Sequence, residues 1–317
     1  MNTQLIVQVA RLYYEHDLTQ QQIADKLNIT RQKVSRLLRQ GREEGIVNVC
    51  INDPTPSDPQ LETELLETFD LNKVILTGSN GLEQENLRHS IGIAASDYLR
   101  QILKDDDFIG IGWGRTLFEV VNTLRSDKMI RINVIPMIGG VGDMSPSFQV
   151  NELARLLAEA FGGTYRPIYA PAFTQDIEEW KAIMDTREVR QIVKLWPRLD
   201  IAVVGVGQVE FQKKSSMFFT DHITPAALDR LESEGGVGDI CGNFFDIQGK
   251  PVADIPGIVG VNLEQLRNIP EVIAAAGGLE KVDALAGALW GGFIKTLVTD
   301  VVTARAVLTS HKEEVML

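Results

Sequence analysis

Short β-rich runs alternate with helical stretches from residue 73 to the end of the 317-residue chain. The β-rich runs are KVILT, FIGIGWG, INVIPMIGG, DIAVVGVG, GIVGV, EVIAAAGG and FIKTLVTD. Neighbouring parallel strands need long crossover connections, which are usually helices, so this alternation indicates βαβ units. The sequence therefore predicts an α/β fold in which a doubly wound, mainly parallel sheet is covered by helices on both faces.

Four of these runs end in glycine-rich segments, at residues 110–116, 138–147, 204–209 and 275–281. Glycine lets a backbone approach a ligand closely, and a helix that begins after such a loop offers N–H groups to an anion. Ligands of parallel sheets bind at the carboxyl ends of the strands. We therefore predict a pocket for a small phosphorylated or polyhydroxylated molecule, although each loop alone is more typical of an ordinary turn.

The same sequence disfavours several other ligand classes. No Gly-Lys-Ser/Thr follows these loops and none completes a GxGxxG motif, which argues against nucleotide binding. Cys50 and Cys241 are far apart and the four histidines are scattered, so we predict buried free thiols, no metal site and no cofactor. No apolar run is long enough to cross a bilayer and the first residues lack a basic region, so we expect a cytoplasmic protein without membrane contact.

A different pattern, three short helices, is predicted in the first 45 residues. In LTQQQIADKLNITRQKVSRLLRQ, residues 18–40, Thr19 and Gln22 have the capping-box spacing at the start of the second helix. Asn28 tolerates the left-handed backbone of a sharp turn, and Thr30 can cap the third helix. The residues expected to face inward are Ile6, Val9, Ala10, Tyr13, Tyr14, Ile23, Ala24, Leu27, Ile29, Val34, Leu37 and Leu38. This pattern predicts a helix-turn-helix.

The third predicted helix leaves a polar and basic face exposed, formed by Arg31, Gln32, Lys33, Ser35, Arg36 and Arg39. Arg and Gln have the donors and acceptors to contact base edges in the major groove, and Lys and Arg neutralise phosphates. The predicted base contacts are Gln32, Ser35 and Arg36. The predicted phosphate contacts are Lys33, Arg39 and Arg42, with Gln20, Gln21 and Thr30 binding the DNA backbone from the helix starts. The alternative is an all-helical interaction module with a solvated basic face.

Two segments after the helices suggest how the domains are joined. GIVNVCIND, residues 45–53, alternates apolar and polar residues and predicts a wing strand, and NDPTPSDPQ, residues 52–60, predicts a semi-rigid linker. We therefore predict a winged helix-turn-helix domain at 1–52, a linker at 53–60 and a larger domain at 61–317. Residues 1–50 carry seven Lys/Arg and five acidic residues, whereas the rest carry 24 and 38. Only the first domain has a charge suited to DNA.

These motifs resemble a known family over nearly the whole chain. LYYEHDLTQQQIADKLNITRQKVSRLLRQGREEGIV resembles the DNA-binding domain of the SorC family of bacterial sugar-responsive transcriptional regulators. GGVGDICGNFFDIQGKPV, AAGGLEKVDALAGALWGGFIKTLVTD and VIPMIGGVG resemble the effector domain of that family. The resemblance implies a domain related to sugar-phosphate isomerases and deaminases that binds a phosphorylated sugar and usually does not turn it over.

The resemblance also implies which residues of this chain bind the effector. The phosphate is expected at Gly139, Gly140, Gly142, Asp143, Ser145 and Ser147, with Gly112, Trp113, Gly114 and Arg115 nearby and Gly207 in the third glycine loop. Asp239 and Lys281 are the polar residues expected beside the sugar. Two alternatives stay open at this point: Asp239 caps its own loop, and Lys281 faces solvent. Lys281 is expected to neutralise the phosphate or, less commonly, to form a Schiff base with an aldehyde effector.

Together these features predict a homo-oligomeric, ligand-responsive transcription factor without enzymatic activity. The acidic domain is expected to form dimers or tetramers, and paired helices to bind a near-palindromic double-stranded DNA operator. Repression relieved by the phosphorylated sugar is the commoner arrangement. The competing hypothesis is a sugar-phosphate isomerase or deaminase with an accessory DNA-binding domain, which needs an acid/base pair near the phosphate loops. Asp143, Asp239 and Asp246 are acids there, but no histidine lies in those loops.

Overall fold

The computed structural model describes residues 3–43, 46–47, 58–78, 83–125, 129–142, 145–209, 225–252 and 257–315. The chain divides into two compact units, Met1–Asn52 and Asp53–Leu317. Most of the predicted wing, Cys50, the first five residues of the predicted linker and Asp143 lie outside the described residues. None of the described helices combines the length and apolar character needed to cross a bilayer.

The described residues 3–43 of the first unit form three helices: α1 (Thr3–Tyr14), α2 (Gln20–Leu27) and α3 (Arg31–Glu43). Their shared core is made of Val9, Leu12, Ile23, Ala24, Val34 and Leu38. Leu12 was not predicted to face inward, and Tyr14, which was, is 40% exposed. The reason is that α1 ends at Tyr14, so Leu12, three residues after Val9, completes the apolar face instead.

Local hydrogen bonds hold the turn between α2 and α3 in place. The Thr19 hydroxyl accepts from the Gln22 N–H at 3.3 Å, and the Gln22 side chain accepts from the Thr19 N–H at 2.9 Å, which confirms the capping box. Asn28 adopts φ 51° and ψ 47°, as predicted, and its N–H donates to the carbonyls of Ala24 and Asp25. The Thr30 hydroxyl accepts from the Lys33 N–H at 3.2 Å, so the start of α3 is capped as well.

Asn28→Ala is expected to raise the opening rate of α2 and α3, because alanine lacks the short polar side chain with which asparagine tolerates the left-handed conformation, and this destabilises the turn by about 1 kcal/mol. Asn28→Gly is the matched control, since glycine adopts that conformation without strain. Hydrogen exchange of the amides in residues 20–43, measured by mass spectrometry on the full chain, gives the comparison. Equal protection in the alanine and glycine variants would show that the turn does not depend on this conformation.

Within its described residues, the second unit contains one large sheet and one small sheet. Its strands are β1 (Lys73–Thr77), β2 (Phe108–Ile111), β3 (Asn133–Pro136), β4 (Thr164–Tyr165), β5 (Ile201–Val204), β6 (Gly207–Gln208), β7 (Gly236–Ile240), β8 (Asn243–Asp246), β9 (Glu271–Ala275) and β10 (Thr296–Asp300). Its helices are α4 (Pro59–Phe69), α5 (Gln84–Ile102), α6 (Arg115–Thr123), α7 (Val150–Phe161), α8 (Ile177–Met184), α9 (Arg187–Val193), α10 (Pro225–Ser233), α11 (Leu263–Arg267), α12 (Val282–Trp290) and α13 (Val301–Val315).

The large sheet has the strand order β1-β10-β9-β5-β2-β3-β4, and each neighbouring pair is parallel. Helices α5, α6 and α7 pack their apolar side chains on one face, and α4, α9, α12 and α13 contribute to the core on the other. The predicted doubly wound α/β fold is therefore confirmed. The order reverses between β2 and β5, because the chain continues from β2 to β3 on one side and from β5 to β9 on the other. Such a switch point is where open α/β sheets bind ligands.

Three details of the second unit differ from the predictions. The small sheet, β6-β7-β8, is antiparallel and was not predicted. GIVGV, residues 257–261, forms only isolated bridges, Ile258 to Phe173 and Gly260 to Ile138, because it lies beside loops and not beside a strand. Helix α4 already begins at Pro59, inside the predicted linker, because the Asp58 carboxylate accepts from the Leu61 N–H at 3.1 Å and proline suits a first helical turn.

Candidate recognition helix and effector site

The loops after β2, β3, β5 and β9 lie at the same edge of the sheet, because these strands are parallel. Those after β2 and β5 flank the switch point. The Gly112 N–H donates to the Val203 carbonyl at 3.1 Å, which joins the two strand ends. A β-carbon added at Gly205 would lie 3.6 Å from the Trp113 carbonyl oxygen, so the two loops remain adjacent beyond the strands.

Asp239, Lys281 and Gly207 come together beside this switch point. Asp239 on β7 pairs with Gly207 on β6 and is 3% exposed. A β-carbon at Gly207 would lie 1.9 Å from the Asp239 carboxylate, so glycine is required there to admit that side chain. The Lys281 amine donates to the Val206 carbonyl. The absence of a side chain at Gly207 thus serves a close approach to Asp239, and its predicted contact with the effector stays a prediction.

The alternatives left open for Asp239 and Lys281 can now be compared with their contacts. The Asp239 carboxylate accepts from the Gly242 N–H at 3.0 Å, so it caps its own hairpin as well as facing the site. Lys281 is only partly exposed and reaches back to the β5–β6 connection, so it is not a solvent-facing side chain. It is the last residue of the Leu279–Lys281 turn of 3-10 helix, which leads into α12.

Burial sets the protonation behaviour of this group of residues. It raises the pKa of Asp239 to about 6, against the opposing effects of the Gly242 N–H and the Lys281 charge. Burial also lowers the pKa of Lys281, although Asp239 and Glu280 partly oppose that change. The pKa of the Cys241 thiol rises to about 12 through burial and the nearby Asp239. Cys241 therefore stays a neutral thiol, and the site presents one carboxyl group and one amine as its titratable groups.

The glycines of the 138–147 loop have mainly backbone roles. The Gly139 N–H donates to Val259 at 2.8 Å and the Gly140 N–H donates to Ala170 at 2.9 Å. A β-carbon at Gly139 would lie 2.4 Å from the Pro171 carbonyl oxygen, so close packing explains this glycine. These two amides are occupied, and the geometry does not favour their predicted binding of a phosphate. Among the predicted effector residues of this loop that the structure describes, the exposed ones are Gly142, Ser145 and Ser147.

The β2–α6 connection is more open to a ligand. Trp113 is partly buried, with its ring centroid 6.1 Å from that of Phe173. Gly114 has φ 121° and begins α6 without a side-chain cap, and no atom lies within 4 Å of a β-carbon placed there. Arg115 follows as an exposed first residue of α6. Amide groups and a guanidinium at the start of a helix form a favourable environment for an anion.

Sequence reasoning missed one residue at this edge, Arg88 on α5. Its pKa is lowered by burial and then by the charge of Arg115, and Glu85, Glu119 and Glu280 partly oppose that change. No glycine or strand end marks it in the sequence, so only the packing of α5 reveals its position. Among the described residues, no group of three or more His, Cys, Asp or Glu is placed to hold a metal ion.

The predicted DNA-contacting residues have the following positions in the first unit. The exposed ones on α3 are Arg31, Gln32, Lys33, Ser35, Arg36, Arg39 and Arg42. Gln20 is partly buried, and the exposed Gln21 side chain donates to Asp25 at 2.9 Å. Thr30 is occupied in capping α3. The basic side of α3 is thus free of the core, whereas Gln21 and Thr30 already have local partners.

Comparison with known proteins matches both units. A family model described as "Putative sugar-binding domain" matches residues 54–309, and one described as "Sigma-70, region 4" matches residues 7–44. The sorbitol operon regulator of Klebsiella pneumoniae is 33% identical, over 96% of this chain and 97% of the relative. The deoxyribonucleoside regulator of Bacillus subtilis (strain 168) is 30% identical, over 96% of this chain and 97% of the relative.

Solved structures give the same result. The crystal structure of the full-length sorbitol operon regulator SorC from Klebsiella pneumoniae superimposes with a TM-score of 0.75 at 31% identity, covering 97% of this chain and 99% of that one. A transcriptional regulator from Streptococcus pneumoniae TIGR4 has a TM-score of 0.74 at 27% identity, over 80% of this chain and 97% of that one. The first of these similarities spans both the three-helix unit and the α/β unit. The chain belongs to the SorC family of sugar-responsive transcriptional regulators.

Proposed function

We propose that this protein is a DNA-binding regulator of a carbohydrate-utilisation operon and that a phosphorylated sugar controls it. The observation that carries the effector half is the buried Asp239 beside Lys281 at the switch point of the sheet, where a hydrogen-bond acceptor and a cation meet. The exposed basic side of α3 supports the DNA half. The names of the relatives, regulators of a sorbitol operon and of deoxyribonucleosides, indicate sugars as the effector class.

A mobility-shift assay tests this function directly. The probe is DNA from beside the gene of this protein, and the panel contains sugar phosphates together with the same sugars without phosphate. We expect one phosphorylated member to change the affinity for this DNA and its free sugar to be much less effective, because Lys281 gains a charge-assisted contact only with the phosphate. DNA binding that no member of the panel changes would contradict the effector half of the proposal.

In the DNA complex, α3 enters the major groove, Gln32, Ser35 and Arg36 contact bases, and Lys33, Arg39 and Arg42 contact phosphates. Arg31 lies on the same exposed side and adds to its positive charge. Gln20, Gln21 and Thr30, at the helix starts, are the candidates for contacts to the DNA backbone. Phosphate contacts give affinity and base contacts give specificity. The two groups of residues therefore predict different mutant behaviour.

Arg36→Ala is expected to weaken binding to the operator by about 2 kcal/mol while binding to random DNA changes little, because a bidentate contact to one base is lost. Lys33→Ala is expected to weaken binding to both DNAs. It should also lower the number of counterions released on binding, read from the salt dependence of the affinity, by about one. Arg11→Ala, an exposed arginine on α1 paired with Glu15, is the charge-matched control. Fluorescence anisotropy over a salt series supplies the affinities, and an equal loss on both DNAs would make Arg36 a phosphate contact.

We further propose a homo-oligomer, a dimer or a tetramer, assembled through the acidic α/β unit. Two-fold symmetry of the protein would be matched by a near-palindromic operator. Relief of repression requires only that the effector bind more tightly to the arrangement with low DNA affinity. Analytical ultracentrifugation with and without operator DNA tests the assembly, and a monomer that binds a single half-site would contradict it.

One observation favours the competing enzyme hypothesis. A carboxyl group with a pKa of about 6 beside an amine with a lowered pKa is suited to proton transfer. Of the other two candidate acids, Asp143 lies outside the described residues, and Asp246 accepts from the N–H groups of Gln248 and Lys250 at 3.0 and 2.8 Å. We propose binding without turnover, and NMR of each sugar phosphate incubated with the protein tests it. Sustained conversion would establish an enzyme.

A further inference from the structure

One face of α5 points toward the loops of the effector site. Gln84, Arg88 and Gly92 are spaced four residues apart and share that face. At one end the Gln84 side chain donates to Glu280 at 3.1 Å, next to Lys281. At the other end a β-carbon at Gly92 would lie 2.6 Å from the β-carbon of Glu119, so α5 and the first turns of α6 are in close contact. Arg88 lies between these two contacts.

The charges around Arg88 are of both signs. Arg88 interacts repulsively with both Arg115 and Lys281, so three cations converge where α5, α6 and the β9–α12 loop meet. The carboxylates of Glu85, Glu119 and Glu280 also act on Arg88, but none of them forms an ion pair with it. Glu119 pairs with His89 at 2.7 Å, and Glu280 accepts from the Gln84 amide. Among the described residues, the partly buried Arg88 makes no hydrogen bond or ion pair. An unpaired guanidinium between two further cations favours a doubly charged ligand.

We propose that Arg88 binds the phosphate monoester of the effector, together with Arg115 and Lys281, and so selects phosphorylated over free sugars. This inference rests on the proposed function. It places the phosphate at the start of α5 and α6, and the sugar hydroxyls toward Asp239. The 138–147 loop is then left to contact the remainder of the sugar. Arg88 binds through its planar fork of N–H groups, which matches two phosphate oxygens.

The test measures anion binding by the full-length protein with two probes. Inorganic phosphate is the first, and the active sugar phosphate of the mobility-shift panel, with its free sugar, is the second. The variants are Arg88→Gln, Arg88→Lys, which keeps the charge but not the fork, and Arg100→Gln, which removes an arginine from the far end of α5. Isothermal titration calorimetry gives the affinities. Thermal unfolding without ligand verifies that each variant is folded.

We expect Arg88→Gln to bind the sugar phosphate about 10- to 100-fold more weakly and the free sugar unchanged. The affinity of Arg88→Lys for the sugar phosphate should lie between those of Arg88→Gln and wild type, and the affinity of Arg100→Gln should equal that of wild type. A sugar phosphate that acts on DNA binding but is bound equally by Arg88→Gln would overturn the inference and leave the proposed function standing. The inference would also be overturned if the affinity for the sugar phosphate fell in Ser147→Ala but not in Arg88→Gln. If no sugar phosphate acts on DNA binding, inorganic phosphate binding that requires Arg88 would still support the anion site and reject the function.

Discussion

Replacing Lys281 with Met is expected to abolish the response of operator binding to the sugar phosphate, with the affinity for the operator itself unchanged. The Lys281 amine donates to the Val206 carbonyl and is the cation that interacts with buried Asp239. Methionine preserves the length of the side chain but removes the charge and the donors. The phosphate then loses a charge-assisted contact and Asp239 loses its cation. We expect effector affinity to fall at least about 100-fold, or about 3 kcal/mol.

The control for this variant is Lys295→Met, the same chemical change at the amino end of β10, the opposite edge of the sheet. Effector titrations of the mobility shift compare the two variants with wild type. A normal response in Lys281→Met would remove this residue from the site. Borohydride treatment of the wild-type complex followed by mass spectrometry separates the two roles of Lys281, because only a Schiff base gives a stable adduct.

The second large effect concerns pH. Burial raises the pKa of Asp239 to about 6, whereas an unfolded aspartate titrates near pH 4. The folded protein therefore holds this proton more tightly, and the stabilisation that results is complete below about pH 4. It is lost as the pH rises to about 6, because the unfolded state releases the proton first. Two pH units correspond to about 3 kcal/mol of unfolding free energy.

Asp239→Asn removes this titration while keeping an oxygen that accepts the Gly242 N–H. Relative to wild type, the variant should gain about 3 kcal/mol in stability between pH 4 and pH 7. Urea unfolding followed by tryptophan fluorescence measures the second unit alone, because Trp113, Trp180, Trp196 and Trp290 all lie in it. A stability difference that stays constant across this range would contradict the raised pKa.

Features that depend on neighbouring residues were predicted from the sequence. The capping box of Thr19 and Gln22, the left-handed Asn28 and the exposed side of α3 follow from spacings of a few residues. The strands and helices of the doubly wound sheet follow from apolar periodicity, because a strand buried on both faces and a helix with one buried face have distinct patterns. The prediction of a ligand site at the carboxyl edge of the sheet follows in turn, because the carboxyl ends of parallel strands lie at the same edge.

Contacts between distant segments could not be predicted in this way. Gly139 and Gly207 look like ligand-contacting glycines in the sequence, but the first packs on Pro171 and the second admits Asp239. GIVGV has the composition of a strand and finds no strand to pair with. The antiparallel sheet β6-β7-β8 was not predicted. Its first strand, β6, has only two residues, too few for a periodicity to be detected.

By itself, the sequence determined the helix-turn-helix, the parallel α/β sheet and the edge of that sheet proposed as the ligand site, because local hydrogen bonds and apolar periodicity depend on adjacent residues. Only the tertiary structure decided which polar groups meet there. Arg88, Asp239 and Lys281 come from three separate segments, and their approach depends on how α5, the small sheet and the β9–α12 loop pack. Burial and like charge act through space, so the raised pKa of Asp239 and the lowered pKa of Arg88 exist only in the folded protein.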